Sequence, residues 1–264
     1  MDYQPYIDMQ KTFYERDVAP ETVVPNTRWN DKVPHETMLL FRNCDVRFPI
    51  FETTSDKAAL DFACGPGRMV PRLSKFFARV DGVDISKVLV SAAQLRNPAS
   101  NFWVSRGDDL GDAPTSSYDF IYSTVALQHI AVHSVRMNIL KNMTAVLKPG
   151  GCVTLQYAFN WRFPQSRILS NEQREGQRTV VYADESKHAR WHEDRVEATS
   201  TNSGCDVGIG REDIPRVIAD FEQYFDNVQH WFFDYTHCSR GAESIGETGG
   251  YWASHFLMVH GVKK

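Results

Sequence analysis

The sequence predicts an α/β fold built on a doubly wound, mostly parallel sheet. Three observations predict it. Short apolar runs alternate with stretches of helical period from residue 57 onward. The first run, Ala58-Ala59-Leu60-Asp61-Phe62-Ala63, stops at a glycine-rich turn, Cys64-Gly65-Pro66-Gly67. After Phe159 the alternation breaks and then resumes near Arg211. Strands that are apolar throughout, separated by helices, indicate βαβ units with both sheet faces covered.

Each element follows from local pattern. Tyr6, Ile7, Gln10, Phe13 and Tyr14 fall at helical spacing, which predicts an amphipathic helix over 3–18, ended by Pro20 and Pro25. A short helix is expected over 35–42. Met69, Val70, Leu73, Phe76, Phe77 and Val80 predict a helix over 69–80. Gly82-Val83-Asp84-Ile85 reads as the second strand, and Ser86 is a good N-cap for a helix to Leu95. Phe102–Val104 and Tyr118–Thr124 read as the third and fourth strands. A helix over 134–147 stops at Pro149-Gly150-Gly151, and Cys152–Ala158 is the fifth strand. The stretch 171–197, dense in both charge signs, reads as a solvated insertion. A helix over 211–225 and strands over 228–234 and 254–261 complete the pattern.

Composition narrows the function. The chain has 264 residues, 42% hydrophobic and 23% charged, with net charge −4, and an isoelectric point near 6.1. That gives no global positive field for gripping nucleic acid or an anionic membrane. No apolar run reaches the ~18 residues of a spanning helix. Residues 1–5 lack a signal-peptide pattern, and the five scattered cysteines form no C-x-x-C pair. A cytoplasmic protein is therefore expected, without a disulfide framework. His188 and His192, four apart, could share a helical face, but no second ligand pair accompanies them, so no metal site is expected.

The glycine turn carries the chemistry, because ligands of open parallel sheets bind beyond the carboxyl ends of the strands. A dinucleotide fingerprint fails here: Arg68 or Val70 stands where a small residue is required. A P-loop fails for want of G-K-[ST]. Asp61 would oppose a diphosphate but suits a cation such as an ammonium or a sulfonium.

Leu60-Asp61-Phe62-Ala63-Cys64-Gly65-Pro66-Gly67-Arg68 resembles motif I of class I S-adenosylmethionine-dependent methyltransferases of the small-molecule, Rossmann-like type. Gly82–Ser86, Gly107–Leu110, Tyr118–Ser123 with Ala126–Ile130, and Leu147–Gly151 resemble the family's further marks, in order. One departure is Ala63, where many members carry glycine. Alanine is tolerable there if its φ stays below zero.

The resemblance implies a seven-stranded sheet, S-adenosylmethionine as cofactor, and an N-terminal helical lid over residues 1–56. The catalytic domain then spans 57–264, with an insertion at about 160–210 as substrate cap. It implies cofactor contacts from Asp61, Ala63, Cys64, Gly65, Gly67, Arg68, Asp84, Ile85, Asp108, Asp109, Ser123 and Gln128. Asp84 is expected at the ribose hydroxyls and Asp108 at the adenine amine, while Gly65 and Gly67 admit the methionine end. His129 is the candidate general base, with a pKa naturally near neutral. Tyr14, His129, Tyr157, Asn160, Trp161 and His237 are candidate acceptor contacts. The expected reaction is methyl transfer to an oxygen or nitrogen of a small molecule. Carbon methylation, or a protein or RNA acceptor, is the alternative. A homodimer is common among such enzymes.

Overall fold

The computed structural model describes residues 3–16, 54–124, 126–159, 167–174, 177–182, 206–233 and 255–264. The expected helix over 35–42 and the His188/His192 pair lie outside them.

One sheet carries the molecule. Its strands are β1 (Ala58–Phe62), β2 (Arg79–Asp84), β3 (Phe102–Val104), β4 (Tyr118–Ser123), β5 (Leu147–Phe159), β9 (Phe225–Phe233) and β10 (His255–Lys263). Their spatial order is β3-β2-β1-β4-β5-β10-β9. The first five are parallel, and β10 runs antiparallel to both β5 and β9. This is the expected seven-stranded, mostly parallel sheet. Chain order reverses direction between β1 and β4, which opens a crevice at the carboxyl end of β1.

The two faces of the sheet bury different residues. Leu60, Phe62, Val83 and Ile121 pack on one side with Ile139, Met143 and Phe221. These come from α4 (His133–Val146) and α5 (Ile214–Glu222). Ala59, Val80, Phe120 and Tyr122 pack on the other side with Val70, Leu73 and Phe77. Neighbouring residues such as Ala59 and Leu60 thus go to opposite cores, as strand pleating requires. Burial of both faces explains why the strands read as continuous apolar runs.

Several elements differ from their sequence pattern. The helix expected over 69–80 is only α2 (Val70–Leu73), followed by turns. Val80 belongs to β2, because Ala58 to Phe62 pair in register with Arg79 to Val83. A helical stripe and a strand here feed the same apolar cluster, so periodicity alone merges them. Pro149-Gly150-Gly151 is not a separate turn. β5 begins at Leu147, directly after α4, and absorbs the extra residues in a register shift against β4. The expected helix over 211–225 is shorter, because β9 already starts at Phe225.

The insertion holds strands that its polarity concealed. β6 (Arg167–Arg174) pairs antiparallel with β7 (Gln177–Tyr182) and β8 (Asp206–Gly208) in a separate three-stranded sheet. Strand propensity is set mainly by packing context, so charged segments such as Arg167–Arg174 give no local signal.

The Ser86 N-cap is present: its hydroxyl accepts from Leu89 N at 3.2 Å and starts α3 (Lys87–Arg96). At the other end of the chain order, α1 (Gln4–Arg16) is anchored by Tyr6. The Tyr6 hydroxyl accepts from Ala131 N at 2.7 Å and donates to His129 O at 3.2 Å. Tyr6 thereby fixes α1 to the loop that follows β4.

Candidate active site

A cavity of about 360 Å³ opens at the switch point. The β1 turn, the ends of β2 and β3, the loop after β4, and α1 all contribute to its lining. Of the residues singled out in the sequence, Asp61, Ala63, Cys64, Gly65, Arg68, Asp84, Ile85, Tyr14 and His129 line it.

Asp84 organises the floor. One carboxylate oxygen accepts from Gly65 N at 2.8 Å and the other from Ser86 N at 2.9 Å. Burial raises its pKa, and these backbone N–H bonds pull it back. Each oxygen keeps further lone pairs for a ligand on the cavity side. Gly65 has φ +53, and a Cβ built on it meets nothing within 4 Å. Its backbone therefore borders open cavity. Gly67 (φ +73) does something else, since a Cβ there would strike Ala93 of α3 and Asn97, which caps that helix. Asn97 Nδ2 donates to Gly67 O at 3.0 Å. Gly67 allows the turn and α3 to pack closely and does not reach the cavity.

Asp61 is the unsatisfied member. It is 3% exposed, and its Oδ2 has no hydrogen-bond partner among the described residues. Burial, with the Asp84 charge adding and Arg68 partly offsetting, pushes its pKa up to about 8. The ligand-free site therefore favours the neutral acid at physiological pH.

The tolerance condition on Ala63 fails. Its φ is +57, in the left-handed region. The turn holds it there: Cys64 N donates to Val83 O at 3.0 Å, and Gly67 N to Cys64 O at 3.0 Å. A methyl-bearing residue in that region costs about 1 kcal/mol.

Other expected residues stand elsewhere. Asp108 faces α4, accepting from Asn138 Nδ2 at 2.9 Å. Asp109 ties its own loop, accepting from Arg106 N at 2.8 Å and Gly111 N at 2.9 Å and pairing with the Arg106 guanidinium. Neither lines the cavity; Ser105 and Gly107 of that loop do. Ser123 and Gln128 are buried behind the cavity wall. Tyr157 is buried in the core, edge-on to Phe221 at 6.2 Å, with its hydroxyl pKa raised by burial. Asn160, Trp161 and His237 lie outside the described residues. Tyr14 and His129 do meet, with ring centroids 6.1 Å apart.

Sequence reasoning passed over Tyr6, Ile7 and Gln10 as site residues, although all three line the cavity from α1. Gln10 carried a usable signal: it is an amide on the apolar stripe of an amphipathic helix.

Comparison with known proteins agrees with this fold. Residues 59–151 match the profile of a methyltransferase domain family. A trans-aconitate 2-methyltransferase of Paracidovorax citrulli is 30% identical over 112 residues, 42% of each chain. One from Methylobacterium nodulans is 25% identical over 166 residues, covering 61% of this chain and 62% of its own. With a third from Azoarcus sp., at 55%, the chain spans 42% to 62% of the length of these relatives. Among solved structures, a TehB-like SAM-dependent methyltransferase from Corynebacterium glutamicum superimposes with a TM-score of 0.54 at 15% identity. That match covers 93% of this chain and 98% of the other. Phosphoethanolamine N-methyltransferase 1 of Haemonchus contortus, in complex with phosphoethanolamine and S-adenosylhomocysteine, gives 0.58 at 13% identity. It covers all of this chain and 50% of that one. Over residues 59–151 the chain is similar to a methyltransferase domain family, and its sheet has the fold of these SAM-dependent methyltransferase structures.

Two measurements test the site's energetics. Ala63→Gly should raise stability by about 1 kcal/mol, seen as a melting temperature a few degrees higher; an unchanged or lower value would show that the turn carries no strain. Asp61 binds its proton more tightly folded than unfolded, so its contribution to stability is lost as pH rises from about 4 towards about 8. The melting temperature of the ligand-free protein should therefore fall over that range more steeply than that of Asp61→Asn. Parallel curves would place Asp61 in contact with water.

Proposed function

We propose that this protein transfers a methyl group from S-adenosylmethionine to a small-molecule acceptor. The observation that carries the reading is the convergence of Asp84, open Gly65 backbone and unpartnered Asp61 on one cavity. A diphosphate would add anionic charge beside Asp84 and keep Asp61 from ionising. The two carboxyl groups suit a ligand that offers hydroxyl donors to one and a cation to the other. Asp84 would hold the ribose hydroxyls through its remaining lone pairs. Asp61 would sit nearest the positively charged methionine end and lose its proton as that charge arrives. Cys64, Ile85 and Leu89 supply apolar wall. When bound, the sulfonium supplies an already activated methyl group, so the protein's work is alignment and exclusion of water.

Residues 1–56 act in this reading as a cap segment and 57–264 as the catalytic domain, with about 160–210 covering the acceptor. Tyr14 and His129 stand where α1 meets the loop after β4 and would border the acceptor. Among acceptor atoms a carboxylate oxygen is favoured. The relatives above are named for trans-aconitate, and Arg68 and Arg72 both line the cavity. A small acceptor also fits the net charge of −4 better than a polyanion does. No helix among the described residues is long and apolar enough to cross a membrane, and the two described cysteines, Cys64 and Cys152, are free and buried. Both observations support a cytoplasmic setting.

Calorimetric titration with S-adenosylmethionine tests the cofactor. Wild type should bind, and Asp84→Asn should bind more weakly by about 1–3 kcal/mol; no binding at millimolar cofactor would end the reading. Methyl incorporation from labelled cofactor into small carboxylic acids, alcohols and amines tests the acceptor. A carboxylate needs no deprotonation, so His129→Ala should leave transfer to it within a few fold. Transfer to a hydroxyl or amine should fall about 100-fold or more if His129 is the base.

A further inference from the structure

The cavity contains two buried, unpartnered polar atoms of opposite kind. Asp61 Oδ2 is a carboxyl oxygen, an acceptor once the acid ionises. Gln10 Nε2 is a donor, with no hydrogen-bond partner among the described residues. Gln10 is 5% exposed and lies on the face of α1 that lines the cavity. A buried amide N–H left unpaired is destabilising. Its neighbours on that face, Tyr6, Ile7 and Tyr14, are largely apolar, so a leucine would serve packing better.

The placement of α1 says what Gln10 faces. Ile7 packs against Gly107 beyond the end of β3, so closely that a Cβ on Gly107 would overlap it. Two turns on, Glu15 Oε1 accepts from Lys87 N at 3.3 Å, at the start of α3 beyond β2. On the same helix Tyr6 and Tyr14 approach the loop after β4. Gln10 lies between these contacts and lines the same cavity as Asp84, Ile85, Leu89, Ser105 and Gly107, where Asp84 would hold a ribose.

We propose that Gln10 Nε2 donates a hydrogen bond to the nucleoside of the bound cofactor, to a ribose oxygen or a purine ring nitrogen. Gln10 is thereby the specificity-determining residue of α1. The proposal rests on the cofactor reading above. It makes stability and affinity move in opposite directions when Gln10 becomes apolar. Without ligand, Gln10→Leu removes an unsatisfied buried amide; with ligand, it removes a bond.

The test is calorimetric titration of S-adenosylhomocysteine into wild type, Gln10→Leu and Gln10→Met, with melting temperatures of the ligand-free proteins. Both variants should melt at or above the wild-type temperature and bind about tenfold more weakly. Gln10→Glu, which replaces the donor by an acceptor, should bind more weakly still. Wild-type affinity in the two apolar variants would overturn the proposal. So would a drop in both melting temperature and affinity, which marks a structural residue. Failure of wild type itself to bind would instead remove the cofactor reading, and this inference with it.

Discussion

The hydrogen bonds from Gly65 N and Ser86 N to the Asp84 carboxylate are the constraint on which the site depends. They join the turn after β1 to the turn after β2 through one side chain. The first bond fixes the glycine turn in its left-handed sequence at Ala63, Gly65 and Gly67. The second sets the entry of α3, which Ser86 then caps. A buried carboxylate is costly unless it is hydrogen-bonded, and these bonds offset that cost. Asp84 thus holds two loops in place and still presents acceptor capacity to the cavity.

Asp61 gains no such compensation. It shares the cavity with Asp84, and both burial and that neighbouring charge favour its neutral form. The unfavourable element is confined to the place where a cationic ligand would relieve it. Gln10 repeats the pattern on the opposite wall, with a donor in place of an acceptor. Two atoms of opposite kind on residues that line the cavity are thus left without a partner among the described residues. Ala63 adds a backbone cost at the same turn. The Ala63 backbone and these two atoms fall at one site, and well-packed cores on either side of the sheet support it.

Much of the frame was legible because it rests on local rules. β1, β2, β4 and β5 are buried on both faces and so appear as apolar runs. Ser86 announces a helix by its position alone. Failures came where two elements serve one core, as with the stripe from Met69 to Val80, which turns from helix to strand partway. They came also where pairing partners make the strand, as in Arg167–Arg174. Asp108 and Asp109 show the limit for side chains. Adjacent identical residue types in one loop turn to α4 and to the loop's own N–H groups, and nothing in their order says which.

The α/β class, the crevice after β1 and the carboxylate at the end of β2 follow from local patterns in the chain. Hydrophobic period, glycine placement and strand spacing act over a few residues, so they survive in a one-dimensional reading. Only the tertiary structure decided that Ala63 takes a positive φ and that Gly67 serves α3 and not the cavity. It alone put Asp61 Oδ2 and Gln10 Nε2, 51 positions apart, on one cavity without a partner among the described residues. Those outcomes depend on which groups meet after the sheet closes and α1 docks. Satisfaction of a buried polar atom is a property of its neighbours, and distant neighbours are chosen by the fold.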